Sequence, residues 1–221
     1  MKFRIVLTML IATCAMLLGC AGHVSTYRFR LHVEVDTPEG QKFGSSVIEV
    51  SWWTNHFVPG FGKRGDGSIT GDAVFVDLGR GKSLVAILGL GSTGNERAFH
   101  EMPWRAFGHK PVREEFWQIM ETQTGSVDLL LDNIPTLVTF HDIANPASVE
   151  VVGPLELPSA FGAGYSIGRV WIETTRDPIL QTLDQQLPWL LSLIEKERKK
   201  PFFENRGGFY MRTALFRRSS T

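Results

Sequence analysis

From Tyr27 to Val35 the chain alternates without a break. Tyr27, Phe29, Leu31, Val33 and Val35 are apolar, and Arg28, Arg30, His32 and Glu34 between them are polar or charged. Successive side chains of a strand point to opposite faces, so this period of two predicts a strand with one face on a core and one in water. Half-buried strands of this kind belong to antiparallel sheets. The stretch Asp36-Thr37-Pro38-Glu39-Gly40 reads as a turn, with Pro and Gly at turn-forming places. A second strand is predicted over residues 46–53, joined to the first through a long loop.

The pattern continues along the chain. Residues 54–72 are rich in glycine and polar side chains and read as loop. Residues 73–78 and 82–88 read as a hairpin turning at Gly79-Arg80-Gly81, a glycine-flanked turn of the kind hairpins use. Further strands are predicted over 127–131, 136–141, 148–152, 168–175 and 209–216, and a modest helix over 111–121. A stronger helix is predicted over 178–199, because Leu183, Leu187, Leu190, Leu191 and Ile194 fall on one stripe. Asp177 is its expected N-cap and Pro178 its first residue. Pro188 is expected to kink or divide it. The predicted fold class is α+β: a mainly antiparallel β-sheet domain with a C-terminal amphipathic helix.

Cysteine usage narrows the chemistry. The only two are Cys14 and Cys20. Both lie at the N-terminus, so residues 21–221 can form no disulfide, cysteine metal cluster or catalytic thiol, and stability must come from a hydrophobic core.

The N-terminus is itself patterned. Lys2 and Arg4 precede fourteen apolar or small residues, 5–18. That is the length of a signal-peptide core and too short to span about 30 Å of hydrocarbon as a helix. It ends in Leu17-Leu18-Gly19-Cys20, followed by Ala21. This resembles the lipobox of bacterial lipoproteins, with Leu18 where Ala or Ser is commoner. The resemblance covers the leader alone. It implies cleavage after Gly19, a diacylglyceryl group on the Cys20 thiol and acylation of the new amine, which together give lasting membrane attachment. Ala21 after the cysteine favours the outer membrane under enteric-type sorting. The expected organisation is a signal peptide over 1–19, a lipidated N-terminus and spacer over 20–26, and one β-rich domain over 27–221. An ordinary cleavage site releasing a soluble periplasmic protein is the rival reading. Segments 30–40, 44–53, 145–154 and 187–190 resemble uncharacterised alphaproteobacterial hypothetical proteins, a likeness that implies a recurring domain and no mechanism.

Removing residues 1–20 removes Lys2 and Arg4 and no acid, leaving 21 basic against 23 acidic residues, a net charge of −2. No nucleic-acid partner is expected, since such proteins usually carry a strongly basic footprint.

The motifs each have a bland explanation. Gly89-Leu90-Gly91-Ser92-Thr93-Gly94 fits G-x-G-x-x-G, but a dinucleotide site also needs a βαβ crossover and a suitably placed acid; a glycine-rich loop is the preferred reading, with Glu114 and Glu115 at nearly the right offset. Arg64-Gly65-Asp66 is an adhesion tripeptide on an expected loop. His100-Glu101 and His109 do not make H-E-x-x-H. His141-Asp142 is a possible metal or base pair, weighed against a solvated strand end. The aromatic stretch 51–61, with Trp104, Phe107, Phe116 and Trp117, is a candidate stacking or protein-contact surface, weighed against Trp52 or Trp53 facing the core.

No residue is singled out as catalytic, cofactor-binding or metal-binding; Cys20, the lipidation site, is the one site residue assigned, and no cofactor is expected. The expected function is a non-catalytic envelope lipoprotein domain, held to the membrane through Cys20, that binds an envelope protein or polymer. The alternatives are an envelope hydrolase acting on glycan or peptide through carboxylates or His141-Asp142, and a soluble periplasmic solute- or lipid-binding protein.

Overall fold

The computed structural model describes residues 24–54, 65–109, 116–198 and 212–219. The predicted first strand is β1, Val24–Thr37, and it forms the longest ladder in the molecule with β2, Gly40–Thr54. The long loop expected between them is instead the two residues Pro38 and Glu39, and pairing runs from Thr37↔Gly40 to Val24↔Trp53. The third strand, β3 (Gly65–Asp72), lies in the stretch read from the sequence as loop. It carries one large apolar side chain, Ile69, and is a strand because β2 offers it a ladder from Glu49↔Thr70 to Thr54↔Gly65.

The predicted hairpin is present as β4 (Val74–Gly79) and β5 (Lys82–Leu90). Arg80 and Gly81 turn it with φ of 54° and 74°, two positive angles in succession that match the twist of the strands they join. A helix not predicted from the sequence follows, α1 (Glu96–Ala106), capped by the Asn95 side chain, which accepts from the Ala98 N–H at 3.0 Å. Then come α2 (Phe116–Thr122), β6 (Ser126–Asp128), β7 (Pro135–Phe140), β8 (Val149–Val152), α3 (Leu157–Phe161) and β9 (Ser166–Thr174).

The C-terminal helix is shorter than its stripe. α4 covers Leu190–Arg198, while Leu183–Gln185 form a single 3-10 turn and residues 178–182 are not helical. Pro188 lacks the N–H a continuous helix needs, so the run is divided. The stripe marks burial in part: Leu183, Leu187 and Leu190 are buried and Ile194 is half-buried, whereas Leu191 is exposed. Asp177 is not an N-cap; its carboxylate accepts from Arg30 Nη2 at 2.6 Å. The strand expected over 209–216 is replaced, in its described part, by a 3-10 turn at Thr213–Leu215, and β10 is only Arg217–Arg218.

Two antiparallel sheets result, ordered β10-β3-β2-β1-β9-β6 and β4-β5-β7-β8. The molecule is a mainly antiparallel α+β protein, as the alternation predicted. Tyr27, Phe29, Leu31, Val33 and Val35 face inward and pack with Val74, Val76, Leu84, Ala86 and Leu88 of the second sheet. The sheets approach closely at Gly44, where a Cβ would overlap the Phe75 carbonyl. A second core lies on the far side of the second sheet, where Val85, Ile87, Val138 and Phe140 meet Leu183, Leu187, Trp189, Leu190, Leu215 and Phe216. β5 and β7 are therefore covered on both faces, which is why their sequences are nearly continuous apolar runs.

The C-terminal layer is fastened by buried charge. Arg217 donates to Asp72 at 2.6 and 2.8 Å and to Asp184 at 2.6 Å, and Asp72 also accepts from the Leu183 N–H at 2.9 Å. Both groups are buried, which makes this an internal pair; the hydrogen bonds to Asp72 raise the Arg217 pKa against the lowering effect of burial, and Arg217 in turn lowers that of Asp184.

Candidate functional site

The outer face of the first sheet carries the other half of the alternation. Arg28, Arg30, His32 and Glu34 of β1 lie between Phe43, Ser45, Val47 and Glu49 of β2 and Arg169, Trp171 and Glu173 of β9. Most of the charged members are paired across strands. Arg28 Nε lies 2.8 Å from Glu49, Arg30 Nη2 lies 2.6 Å from Asp177, and Arg169 reaches Asp128 at 2.6 Å. Gln41 Nε2 donates to Glu34 and Asp36 at 3.0 and 3.2 Å. Half-exposed pairs of this kind contribute about 0–1 kcal/mol each to stability, so their main effect is to fix side-chain directions.

Within this charged lattice sits an aromatic cluster. His32 stacks on Trp171 with ring centroids 4.5 Å apart and planes 5° from parallel. The Arg169 guanidinium lies 4.5 Å from the Trp171 ring centroid, a cation–π distance. Phe43 completes the group, 5.7 Å from His32 and 5.8 Å from Trp171. Its ring is 55% exposed, whereas His32 is buried. An exposed Phe on a sheet face is the informative kind of apolar surface. Arg, Trp and Phe gathered inside a charged rim have the composition of an interface hot spot.

His32 is tuned by the same neighbours. Burial lowers its pKa below the usual 6.5; Glu173, with Oε1 3.2 Å from Nε2, opposes this, and Arg30 and Arg169 add to it. The ring is therefore held toward its neutral form. Asp177 is held below the ordinary carboxylate range, first by the Arg30 hydrogen bond and then by Thr175.

Two clefts flank the face. One of about 420 Å³ is lined by Arg30, Ser45, Asp177, Leu180, Thr182 and Gln186; another of about 810 Å³ is lined by Thr26, Arg28, Glu49, Glu121, Thr174 and Arg176. A third of about 410 Å³ lies beside the edge strand β8, among Gly91, Leu131, Thr136, Val151 and Pro154.

The residues singled out from sequence separate. Cys20, Arg64 and residues 55–61 lie outside the described residues. Gly65 and Asp66 belong to β3 rather than to a loop. Gly91–Gly94 is a loop closed by two backbone bonds between Leu90 and Asn95. It does join a strand to a helix, but β5 runs antiparallel to both neighbours, so there is no βαβ crossover. His100 is buried on α1 and meets Trp52 edge-on at 5.7 Å. His109 Nε2 lies 2.9 Å from Gln123 Oε1. His141 is exposed at the end of β7 and pairs with Glu150 at 2.9 Å, while Asp142 caps a turn by accepting from the Ala144 N–H. Of that aromatic set, Trp52 and Trp104 are core residues and Trp53 is half-buried at a strand end.

Among the described residues no group of three or more His, Cys, Asp or Glu is placed to hold a metal ion, and no helix is long and apolar enough to cross a membrane. No known protein family, curated protein or solved structure matches the chain.

Proposed function

We propose that the chain is a cell-envelope lipoprotein, attached through Cys20, whose β-sandwich is a binding domain that grips an envelope protein or polymer with the outer face of its six-stranded sheet. The leader and the Leu17-Leu18-Gly19-Cys20 motif support the location. The observation that carries the binding reading is the Phe43–His32–Trp171–Arg169 cluster, in which an exposed aromatic ring is buttressed by a stacked and charge-fixed support. A buttressed aromatic offers contact area at little further entropy cost, because its supports are already ordered. This group has no evident role in the core, since it lies on the face opposite Phe29 and Leu31.

The test is a photo-reactive residue placed at position 43 of the full-length protein in its own envelope, beside one at Leu191, which is exposed on α4. The expected result is a discrete adduct from position 43, lost with Trp171→Ala, and none from position 191. Equal labelling from both positions, or none from 43, overturns the binding-face reading. Sacculi or envelope protein in the adduct identifies the partner class.

A further inference from the structure

We infer that the end of the sandwich where β1 begins rests against the bilayer surface, and that β1 leads away from it. This rests on the Cys20 anchor proposed above and adds an orientation that the anchor alone does not give. β1 starts at Val24, four residues after Cys20, and four residues of chain span at most about 14 Å. A lipidated Cys20 therefore brings Val24 to within about 14 Å of the membrane surface, and Trp53, paired with it across the ladder, to within about 5 Å more. Thr26 and α2 come with them, because the Thr26 N–H donates to Glu121 at 3.1 Å.

β1 is 14 residues long, so its far end lies about 43 Å away along the strand at roughly 3.3 Å per residue. The Pro38–Glu39 turn and Gly164, whose neighbour across the fold is Pro38, mark that distal end. Laying the domain flat on the outer sheet face would press Arg28, Arg30, Glu34, Glu49, Glu173 and Asp177 into the interface, which is costly for charged groups. Laying it on the β8 edge would use the exposed Leu130, Leu131 and Leu155. Leu130 and Leu131 follow Leu129, whose N–H bonds Val170, and lie beyond mid-strand on the distal side. A four-residue tether at the other end does not favour that contact. His32 lies about 26 Å along β1 from Val24, so the Phe43 cluster stands clear of the headgroups and faces a partner in the aqueous envelope.

The experiment uses the full-length protein, processed in a bacterium with lipoprotein maturation and reconstituted into vesicles of phosphatidylethanolamine and phosphatidylglycerol carrying a headgroup-attached quencher. Residues 21–221 contain no cysteine, so single cysteines at exposed positions can be labelled with a thiol-reactive dye. Thr26→Cys and Thr122→Cys probe the proximal end, Ala163→Cys the distal end and Leu131→Cys the apolar patch. Loss of emission at both proximal sites, with emission kept at 163 and 131, is the expected result. Inserting about twenty Gly/Ser residues after Ala21 should remove the difference, because such a spacer reaches roughly 25 Å. Acylated, vesicle-bound protein with equal quenching at all sites, or with quenching strongest at Leu131→Cys, overturns the orientation and leaves the anchor intact. Protein that is neither acylated nor retained on vesicles overturns the anchor and the orientation together.

Discussion

Replacing Asp72 by alanine removes one end of the charge pair that fastens the C-terminal layer to the sheets. Asp72 and Arg217 expose only 5% and 7% of their side chains. Removing one partner of such a pair leaves a buried charge and typically costs about 3–5 kcal/mol. Asp184, 2.6 Å from Arg217 Nη2, still offsets part of that charge and pulls the expected value toward the lower end. The Leu183 N–H also loses its acceptor, and an orphaned buried donor adds about 1–3 kcal/mol. The expected destabilisation of Asp72→Ala is therefore about 4–6 kcal/mol by equilibrium urea unfolding of the chain without residues 1–20. The double variant Asp72→Ala with Arg217→Met should recover the part of that loss due to the stranded charge, while the Leu183 N–H stays without its acceptor. A single variant within about 1 kcal/mol of wild type, or a double variant no better than the single, would refute the view that this pair is an internal fastening.

Three further outcomes follow from the packing and the outer face. Gly44→Ala should cost about 1–3 kcal/mol in the same assay, since the new methyl meets the Phe75 carbonyl where the sheets are closest; an unchanged midpoint would show that the sheets part freely. Tyr27→Phe should be neutral or stabilising by about 1 kcal/mol, because the Tyr27 hydroxyl is buried without a hydrogen-bond partner among the described residues and burial raises its pKa; a clear loss would mean the hydroxyl is satisfied. His32 should titrate by NMR below 6.5, and Glu173→Gln should lower its pKa further by removing the group that opposes burial. Because the folded value is the depressed one, the unfolded chain binds the proton first. The stabilising contribution is thus full above pH 6.5 and is lost as pH falls through the folded value. An upward shift on Glu173→Gln would contradict the assignment.

Much of the scaffold was legible because it is written in local periodicity. The 27–35 alternation, the Arg80-Gly81 turn and the apolar runs of β5 and β7 carry their own signals. β3 does not, since Gly65-Asp66-Gly67-Ser68 has no apolar pattern and becomes a strand only beside β2. α1 was hidden by the glycines before Asn95 and by Pro103 within it. The Leu183–Ile194 stripe marked a buried face at Leu183, Leu187 and Leu190 but not at Leu191, which is exposed, and Pro188 and the tertiary fastening at Asp72 set the shape. The outer-face cluster was the least legible part. His32, Phe43 and Trp171 come from three strands, and only the β2-β1-β9 order and register bring them together. The apolar–polar alternation on β1 and a Trp between Arg169 and Glu173 on β9 were the available signals.

Attachment through Cys20 can be read from intact mass together with membrane partition. Wild type and Cys20→Ala are expressed side by side in a bacterium that processes lipoproteins. The expected wild-type mass lacks residues 1–19 and bears acyl groups, with the protein in the membrane fraction, and the Cys20→Ala chain carries none. A wild-type chain without acyl groups, cleaved elsewhere and found in the soluble fraction, would contradict it.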